Sequence, residues 1–221
     1  MVENTPEGAS RRCRGRPQVR SDEETLALIL EAAGREFQAN GYGATCIADV
    51  AERAGVSTKT LYRLVPTKAD LFASVVADRI GRFVLEYDLS RLDSLGAQAA
   101  LERMLTVFGA LTLEPRTIAL TRLVLGECCS FPEVGAAFYD NAIVRTSQAM
   151  EEGLRRLCAR GLIALDDPHE AVGMLRGMMI LEPQRAVMLG QREPPDPAEI
   201  AARANRCARM FLNGCATGRT G

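Results

Sequence analysis

The chain has 221 residues, 47% of them hydrophobic, and its 27 basic and 28 acidic side chains leave a formal net charge of −1. This length can bury a substantial core in one large domain or two small ones. No window approaches the roughly 18 consecutive apolar residues of a membrane span, and the arginine-containing N-terminus lacks the apolar stretch of a signal peptide. We therefore expect a cytoplasmic protein that makes no contact with a membrane.

The residues that most enzymes and metal sites need are scarce. The seven cysteines form no CxxC pair and no metal-ligand spacing, which is typical of reduced thiols inside a cell. The single histidine, His169, lies in an acidic turn, so no histidine cluster for a metal or a proton shuttle can form. We expect no metal, no cofactor and no catalytic activity. A thiol or carboxylate enzyme is the minor alternative, because the sequence offers no histidine partner for a cysteine nucleophile and contains no Gly-rich phosphate loop.

Basic side chains are concentrated near the start of the chain. Residues 1–20 combine Gly, Pro and Ser with five arginines and show no apolar periodicity, which predicts a mobile basic arm. Within it, Arg14-Gly15-Arg16-Pro17 resembles the core of an AT-hook, in which arginines such as Arg14 and Arg16 enter a narrow minor groove of DNA. The only two lysines of the chain, Lys59 and Lys68, follow downstream.

Helix signals follow each other closely after residue 20. Ser21 and Glu24 form a capping box that opens a first helix, and Asn40-Gly41 is expected to end it. Three further helices have cap residues at their expected starts. These signals are Thr45 and Gly55 at the two ends of a second short helix, Ser57 at the start of a third, and Thr67 with Asp70 at the start of a fourth.

Beyond residue 94 every segment has helical spacing, and none shows the alternating β-branched pattern of strands. The chain is therefore predicted to be all-α, with about nine helices bounded by prolines and glycines. Pro183 is expected to kink or split the helix that contains it. These later helices are expected over 96–112, 115–129, 132–161, 168–189 and 196–213.

Two short helices joined by Ala54-Gly55-Val56-Ser57 are typical of a helix-turn-helix, in which the glycine permits the tight turn and Val56 packs between the helices. The second helix of such a motif enters the major groove of DNA. Lys68 lies in the first turn of the following helix, where the helix dipole disfavours a cation, and this suggests an external anion such as a DNA phosphate. The other candidates for DNA contact are Thr58, Lys59, Thr60, Tyr62 and Arg63.

The segment Thr45–Tyr62, followed by Pro66–Phe72, strongly resembles the tetracycline-repressor (TetR) family of transcription regulators. The similarity covers about residues 22–76. It implies an N-terminal three-helix DNA-binding domain, which we place at 21–66.

The resemblance also implies roles for individual residues. Thr45, Tyr62 and Lys68 would contact DNA phosphates, and Ser57 to Thr60 would contact bases or backbone. One departure is Leu64-Val65, which stands where the family usually has an aromatic pair, so an expected phosphate contact is missing there. Thr45 can alternatively act only as a helix cap.

The segment Thr121–Arg160 resembles, more loosely, the C-terminal domain of the AefR-like branch of the family. This resemblance implies a ligand-responsive, dimer-forming helical domain, which we place at 94–221 and which a connecting helix within 67–93 joins to the DNA-binding domain. Flexible methionines and aromatic residues can form an adaptable cavity, although ordinary core packing is the alternative for each of them. The candidate ligand-binding residues are Met104, Phe108, Leu123, Glu127, Phe138, Tyr139, Met174 and Met178.

A dimer is expected because one recognition helix covers few bases, whereas a palindromic operator presents two half-sites about one helical repeat apart. The last two helices offer the apolar surface for a two-fold interface. The candidate interface residues are Met179, Val187, Met188, Ile200, Ala204, Met210 and Phe211.

Taken in order, these features predict a dimeric repressor that binds double-stranded DNA and is released when a small-molecule effector in the C-terminal domain tilts the connecting helix. One alternative shares the DNA-binding half: the C-terminal domain would recruit a protein partner to DNA instead of sensing a ligand.

Overall fold

The computed structural model describes residues 20–87 and 89–213, with only the backbone described for 82–86, 89 and 91. Every regular element in this part of the chain is helical, which confirms the predicted all-α fold. The expected basic arm, with Arg14 and Arg16, lies outside the described residues.

The first three helices form a compact N-terminal unit: α1 (Asp22–Ala44), α2 (Ile47–Ala54) and α3 (Thr58–Leu64). The predicted capping box opens α1, because the Glu24 amide donates to the Ser21 hydroxyl at 3.1 Å and the Ser21 amide donates to the Glu24 carboxylate at 3.0 Å. Gly41 interrupts α1 with a positive φ of 81°, as expected at a helix end.

The prediction that Thr45 caps α2 is wrong. Cys46 occupies the N-cap position of α2 without a side-chain hydrogen bond. Thr45 is buried, and its hydroxyl donates backwards to the Gly41 carbonyl at 2.6 Å. The threonine therefore closes the last turn of α1 instead of opening α2.

The fourth helix, α4 (Lys68–Glu86), starts as expected, with the Asp70 amide donating to the Thr67 hydroxyl at 3.0 Å. A short 3₁₀ turn at Leu89–Leu92 follows it. The later helices have bounds within one or two residues of those predicted. They are α5 (Ala97–Thr112), α6 (Pro115–Glu127), α7 (Pro132–Phe138), a π-helical segment (Tyr139–Val144), α8 (Arg145–Ala159), α9 (Pro168–Met188) and α10 (Pro197–Asn213).

Two features differ from the expected helix pattern. The helix expected over 132–161 changes from α to π and back to α at Tyr139–Val144, with helical backbone angles at both junctions. If this interrupted helix is counted as one, the described part of the chain contains nine helices besides the 3₁₀ turn. In α9, by contrast, Pro183 was expected to kink or split the helix; the split is wrong, because the helix continues from Pro168 to Met188, and the kink stays a prediction.

Two hydrophobic clusters organise the packing. The C-terminal cluster joins α5, α8, α9 and α10 around side chains such as Leu101, Phe108 and Leu154. The N-terminal cluster joins α1 to α4 and extends over α6, α7 and the π segment through Val124, Val134 and Ala142. Burial of each such large side chain contributes roughly 1.5–3 kcal/mol. The N-terminal helices therefore share a core with α6 and α7. Within the described ranges, no helix is long and apolar enough to cross a bilayer.

Candidate nucleic-acid interface

The turn between α2 and α3 has the geometry of a helix-turn-helix. Gly55 adopts the left-handed conformation, with φ 66° and ψ 37°, and the Val56 amide donates to the Ala51 carbonyl at 3.0 Å. No atom lies within 4 Å of the position that a Cβ would take at Gly55. The backbone conformation, and not lack of space, is therefore what favours glycine there.

One face of α3 anchors the helix and the other is open. The Thr60 amide donates to the Ser57 hydroxyl at 3.0 Å, which confirms the predicted cap. Leu61 is only 1% exposed and packs into the N-terminal cluster. Thr58 and Lys59 are exposed, as is Tyr62, whose exposed fraction is 49%. Thr58, Lys59 and Tyr62, three of the predicted DNA-contacting residues, are thus open to solvent on α3.

Arg63 has an intramolecular partner on this surface. Its guanidinium donates to both carboxylate oxygens of Asp22, at 2.8 and 2.6 Å. The hydrogen bond from Arg63 lowers the pKa of the Asp22 carboxyl and raises that of the guanidinium. Because both groups are exposed, this pair contributes little stability, but it ties α3 to the start of α1.

Two of the predicted phosphate contacts have partners within the chain. Thr45 was expected to contact a DNA phosphate at a helix start, but its side chain is buried and its hydroxyl donates to the Gly41 carbonyl, so it is absent from the open surface. Lys68 was predicted to face an external anion such as a DNA phosphate. Its Nζ donates to the Gly43 carbonyl at 3.0 Å and lies 4.9 Å from the centre of the Tyr42 ring. These internal partners hold the ammonium in place, and its contact with a phosphate stays a prediction.

Sequence reasoning missed the carboxylate that fixes α2. Glu36 on α1 is 5% exposed and accepts from the Arg53 guanidinium at 2.5 Å and from the Asn40 amide at 2.8 Å. A buried acid that is bound by one donor on α2 and by another on its own helix sets the angle between α1 and α2. The only signal in the sequence is that Glu36 directly precedes Phe37, one of the apolar residues of α1.

A second carboxylate joins the two halves of the chain. Glu127, at the end of α6, accepts from the backbone amides of Tyr42 and Gly43, each at 2.8 Å. Glu127 was predicted to contact a ligand; its observed partners are these two amides, 84 and 85 residues away. No local pattern indicates a contact of that separation.

The Tyr42 side chain adds to the same junction. Its hydroxyl donates to the Glu133 carboxylate at 3.1 Å, and its ring packs edge-on against Phe131, with centroids 5.2 Å apart. Burial, together with the hydrogen bond to Glu133, raises the pKa of Tyr42 to about 12.

The other predicted ligand-binding residues do not converge. Met104 and Phe108 are fully buried in the C-terminal cluster, whereas Tyr139 and Met174 are mostly exposed. Met178 is half-buried against the C-terminal cluster, and Phe138 against the N-terminal one. The expectation of a single pocket formed by this set is therefore wrong, because the residues belong to different clusters and surfaces.

An open cleft lies elsewhere, between α1, α4, α6 and the end of α5, with a volume of about 1270 Å³. Of the eight predicted ligand-binding residues, Leu123 alone lines it. Its apolar wall includes Leu30, Phe37 and Leu120, and charged residues such as Arg79 and Glu114 lie among its lining residues. The Arg79 guanidinium donates to the Glu114 carboxylate and to the Thr117 hydroxyl, which ties α4 to α6.

The predicted dimer residues divide into two groups. Met179, Val187, Ile200 and Ala204 are buried within the chain itself and present no surface to a partner, so their assignment to the interface is wrong. Met188 and Phe211 are half-buried, and Met210 is 52% exposed. The exposed apolar side chains of α9, counted with its C-cap residue Leu189, are instead Met174, Leu181 and Leu189.

Comparison with known protein families shows to which family the chain belongs. Residues 29–75 match the family model for bacterial regulatory proteins of the tetR family. Residues 99–214, more than half of the chain, match the model for the C-terminal domain of AefR-like transcriptional repressors. The chain belongs to the TetR family of transcriptional regulators.

Individual relatives of this TetR-family regulator agree with the assignment. The chain is 30% identical over 188 residues to the HTH-type transcriptional regulator ArpR of Pseudomonas putida, which covers 77% of this chain and 87% of the relative. A TetR-family regulator from Mesorhizobium loti MAFF303099 has a similar fold, with a TM-score of 0.77 at 24% identity over 88% of this chain and 98% of that one. FadR of Bacillus subtilis, solved in complex with stearoyl-CoA, has a TM-score of 0.68 at 20% identity over 86% and 99% of the two chains.

The family resemblance drawn from Thr45–Tyr62 and Pro66–Phe72 is therefore confirmed, as is its extension to an AefR-like C-terminal domain. TetR-family regulators act on transcription by binding DNA. In this regulator the helix-turn-helix exposes Thr58, Lys59 and Tyr62 on one face.

Proposed function

We propose that this regulator is a homodimeric repressor that binds a palindromic DNA operator through α3 and is released by a small-molecule effector. The observation that carries the proposal is the open face of α3, with Thr58, Lys59 and Tyr62 exposed around the buried anchor Leu61. Hydroxyl and amino groups on such a helix can bond to base edges and phosphates in the major groove.

The dimer interface is assigned to α9 and α10. Met174, Leu181 and Leu189 leave large apolar side chains in water on α9, and Met210 does so on α10. Apolar residues clustered on two helices are typical of a surface that a second copy covers. Two copies related by a two-fold axis would present two α3 helices to the two halves of an operator.

The effector site is assigned to the cleft between α1, α4 and α6. Its apolar wall with charged residues around it suits an amphipathic molecule, such as one with an acyl or aromatic body and a polar group. The stearoyl-CoA complex of the structurally similar FadR makes an acyl thioester a reasonable first compound to test. An occupant of this cleft would touch both α1 of the DNA-binding half and α6 of the C-terminal half.

Release of the regulator from its operator then follows from the thermodynamic linkage between effector binding and DNA binding. An effector that binds better to a conformation with the wrong spacing of the two α3 helices lowers operator affinity, and DNA lowers effector affinity by the same factor. A C-terminal domain that recruits a protein partner is the alternative. It predicts DNA binding that no small molecule changes.

The test begins with duplexes selected from a random-sequence pool by the purified protein. Their affinity is then measured by fluorescence anisotropy, with and without a small-molecule extract of cells and with and without stearoyl-CoA. The proposal predicts two-fold-related half-sites and at least one addition that weakens binding. Failure to select any duplex contradicts DNA binding, whereas affinity that no addition changes contradicts the effector part alone.

A further inference from the structure

One carboxylate, Glu127, bonds the end of α6 directly to the backbone of the DNA-binding half. Both oxygens of Glu127 are engaged: Oε1 accepts from the Tyr42 amide and Oε2 from the Gly43 amide, each at 2.8 Å. Hydrogen bonds to an ionised acceptor are shorter and stronger than neutral ones, and two parallel bonds also fix an orientation. Glu127 therefore sets both the distance and the angle between α6 and the corner at Gly41–Gly43, near the end of α1.

This corner is built for close approach. A Cβ at Gly41 would lie 2.4 Å from Glu127 Oε1, and one at Gly43 would lie 3.0 Å from the Phe131 ring. Gly41 also has a positive φ, which L side chains rarely adopt. A side chain at either position would push the Glu127 carboxylate or the Phe131 ring away from the backbone.

The carbonyl of Gly43 binds Lys68, one of the residues predicted to contact DNA. While the amide of Gly43 donates to Glu127, the carbonyl accepts from Lys68 Nζ at 3.0 Å. The same ammonium lies over the Tyr42 ring, whose own amide is the other donor to Glu127. No carboxylate in the described ranges forms an ion pair with Lys68, so its charge and its remaining donors stay available.

We propose that Glu127 is a positioning residue for DNA binding. Glu127 binds the amide of Gly43, and the carbonyl of Gly43 binds Lys68, so that the Lys68 ammonium is held where it meets a DNA phosphate. The inference rests on the proposed function and adds to it a residue of the C-terminal domain that touches no DNA. Glu127 ends the helix whose Leu120 and Leu123 line the cleft. The position of Lys68 therefore depends on where α6 lies.

The test uses the full-length chain and a duplex that the wild-type protein selects. E127Q replaces one acceptor oxygen with an amide that faces a backbone donor, and E127D keeps the charge but shortens the side chain. K68M removes the proposed contact. D140N is the matched control, because Asp140 is an exposed acid with the same charge and no hydrogen bond that would be lost.

The readouts are the dissociation constant, the slope of log affinity against log salt concentration, and the thermal midpoint. Each lost phosphate contact lowers the slope by about 0.9, and a dimer would lose two. We expect E127Q and E127D to weaken binding about tenfold and to lower the slope by about 2, as K68M does. The double variant E127Q/K68M should bind no more weakly than K68M, and D140N should match the wild type.

Three outcomes would overturn the inference: a wild-type slope in E127Q and E127D, additive losses in E127Q/K68M, or the same loss in D140N. If E127Q lowers the thermal midpoint, the salt slopes of E127Q and E127D decide, because an unfolded fraction lowers the apparent affinity without changing the number of phosphates that the folded protein contacts. If the wild type itself selects no duplex, the proposed function fails first. That result is distinct from a wild type that binds and an E127Q that binds equally well.

Discussion

The polar bonds that join one helix to another differ between the N-terminal and the C-terminal half of the molecule. In the N-terminal half, carboxylates fix one element to another, as Glu36 does for Arg53 and Asp22 does for Arg63. In the C-terminal half such carboxylate pairs also occur, as between Glu182 and Arg203, but arginines reach backbone carbonyls as well: Arg122 donates to the last turn of α9 and Arg203 to the carbonyl of Met178. The first arrangement sets the orientation of short helices, whereas the second closes the ends and sides of long ones that an apolar core already holds.

This difference matches what each half has to do. A short helix that enters a groove needs a defined orientation, and directional bonds from Asp22, Glu36 and Glu127 supply it. Long helices with a continuous apolar core need only be packed, and they leave Met174, Leu181 and Leu189 free to meet a partner.

The contrast is sharpest within α3, where adjacent residues have opposite surroundings. We expect Leu61→Ala to lower the free energy of unfolding by about 2–5 kcal/mol, because it leaves a cavity in the N-terminal cluster. Tyr62→Ala should change it by less than about 0.5 kcal/mol and weaken DNA binding instead. Urea denaturation and duplex titration of both variants measure this. Equal losses of stability would contradict the assignment of the two faces.

The apolar face of α9 gives the next largest effect. Leu181→Glu and Leu189→Glu place a charge in the proposed interface and should weaken the dimer by about 100-fold or more without unfolding the protomer. Leu125, 62% exposed on α6, is the matched control, since Leu125→Glu adds the same charge outside this face. Sedimentation velocity over a range of concentrations reports the change. Dissociation by Leu125→Glu alone would move the interface to α6.

The buried carboxylate of α1 tests the polar side of the comparison. Glu36→Gln should lower the free energy of unfolding by about 1–3 kcal/mol, because the buried bond to Arg53 loses its charge. Glu31→Gln removes an exposed pair with Arg35 on the same helix and should cost less than about 0.5 kcal/mol. Thermal and urea denaturation give both values, and equal costs would mean that burial of Glu36 adds nothing.

The smallest effect concerns pH at the junction. The folded pKa of Tyr42, about 12, lies above its ordinary value of 10.0, so the neutral phenol stabilises the fold fully below pH 10 and this stability is lost as pH rises through 12. Near pH 11 the loss is about 1 kcal/mol. Tyr42→Phe should not show this component. Denaturation of both proteins between pH 9 and 11.5 tests it, and parallel curves would contradict the cause.

The same comparison explains what the sequence could predict. Caps and turns are decided by residues three or four positions apart, so Ser21 with Glu24, Gly55 and Ser57 indicated their elements correctly. Thr45 failed because its hydroxyl has a competing acceptor one turn back at Gly41.

Faces in the C-terminal half depend on packing between distant segments. Helical spacing shows that Met179 and Leu181 lie on a helix, but it does not show that Met179 points into the C-terminal cluster and Leu181 into water. Glu127 is the clearest case, since its partners are 84 and 85 residues away. Its local surroundings fit a ligand contact equally well.

The most direct test of the central claim is the affinity of the double variant Lys59→Ala, Lys68→Met for a duplex that the wild type selects. If the open face of α3 and the lysine beside it bind DNA, the dissociation constant rises at least 100-fold and the salt slope falls by about 4 per dimer, while the thermal midpoint stays within a few degrees. Wild-type affinity with an unchanged slope would contradict the account.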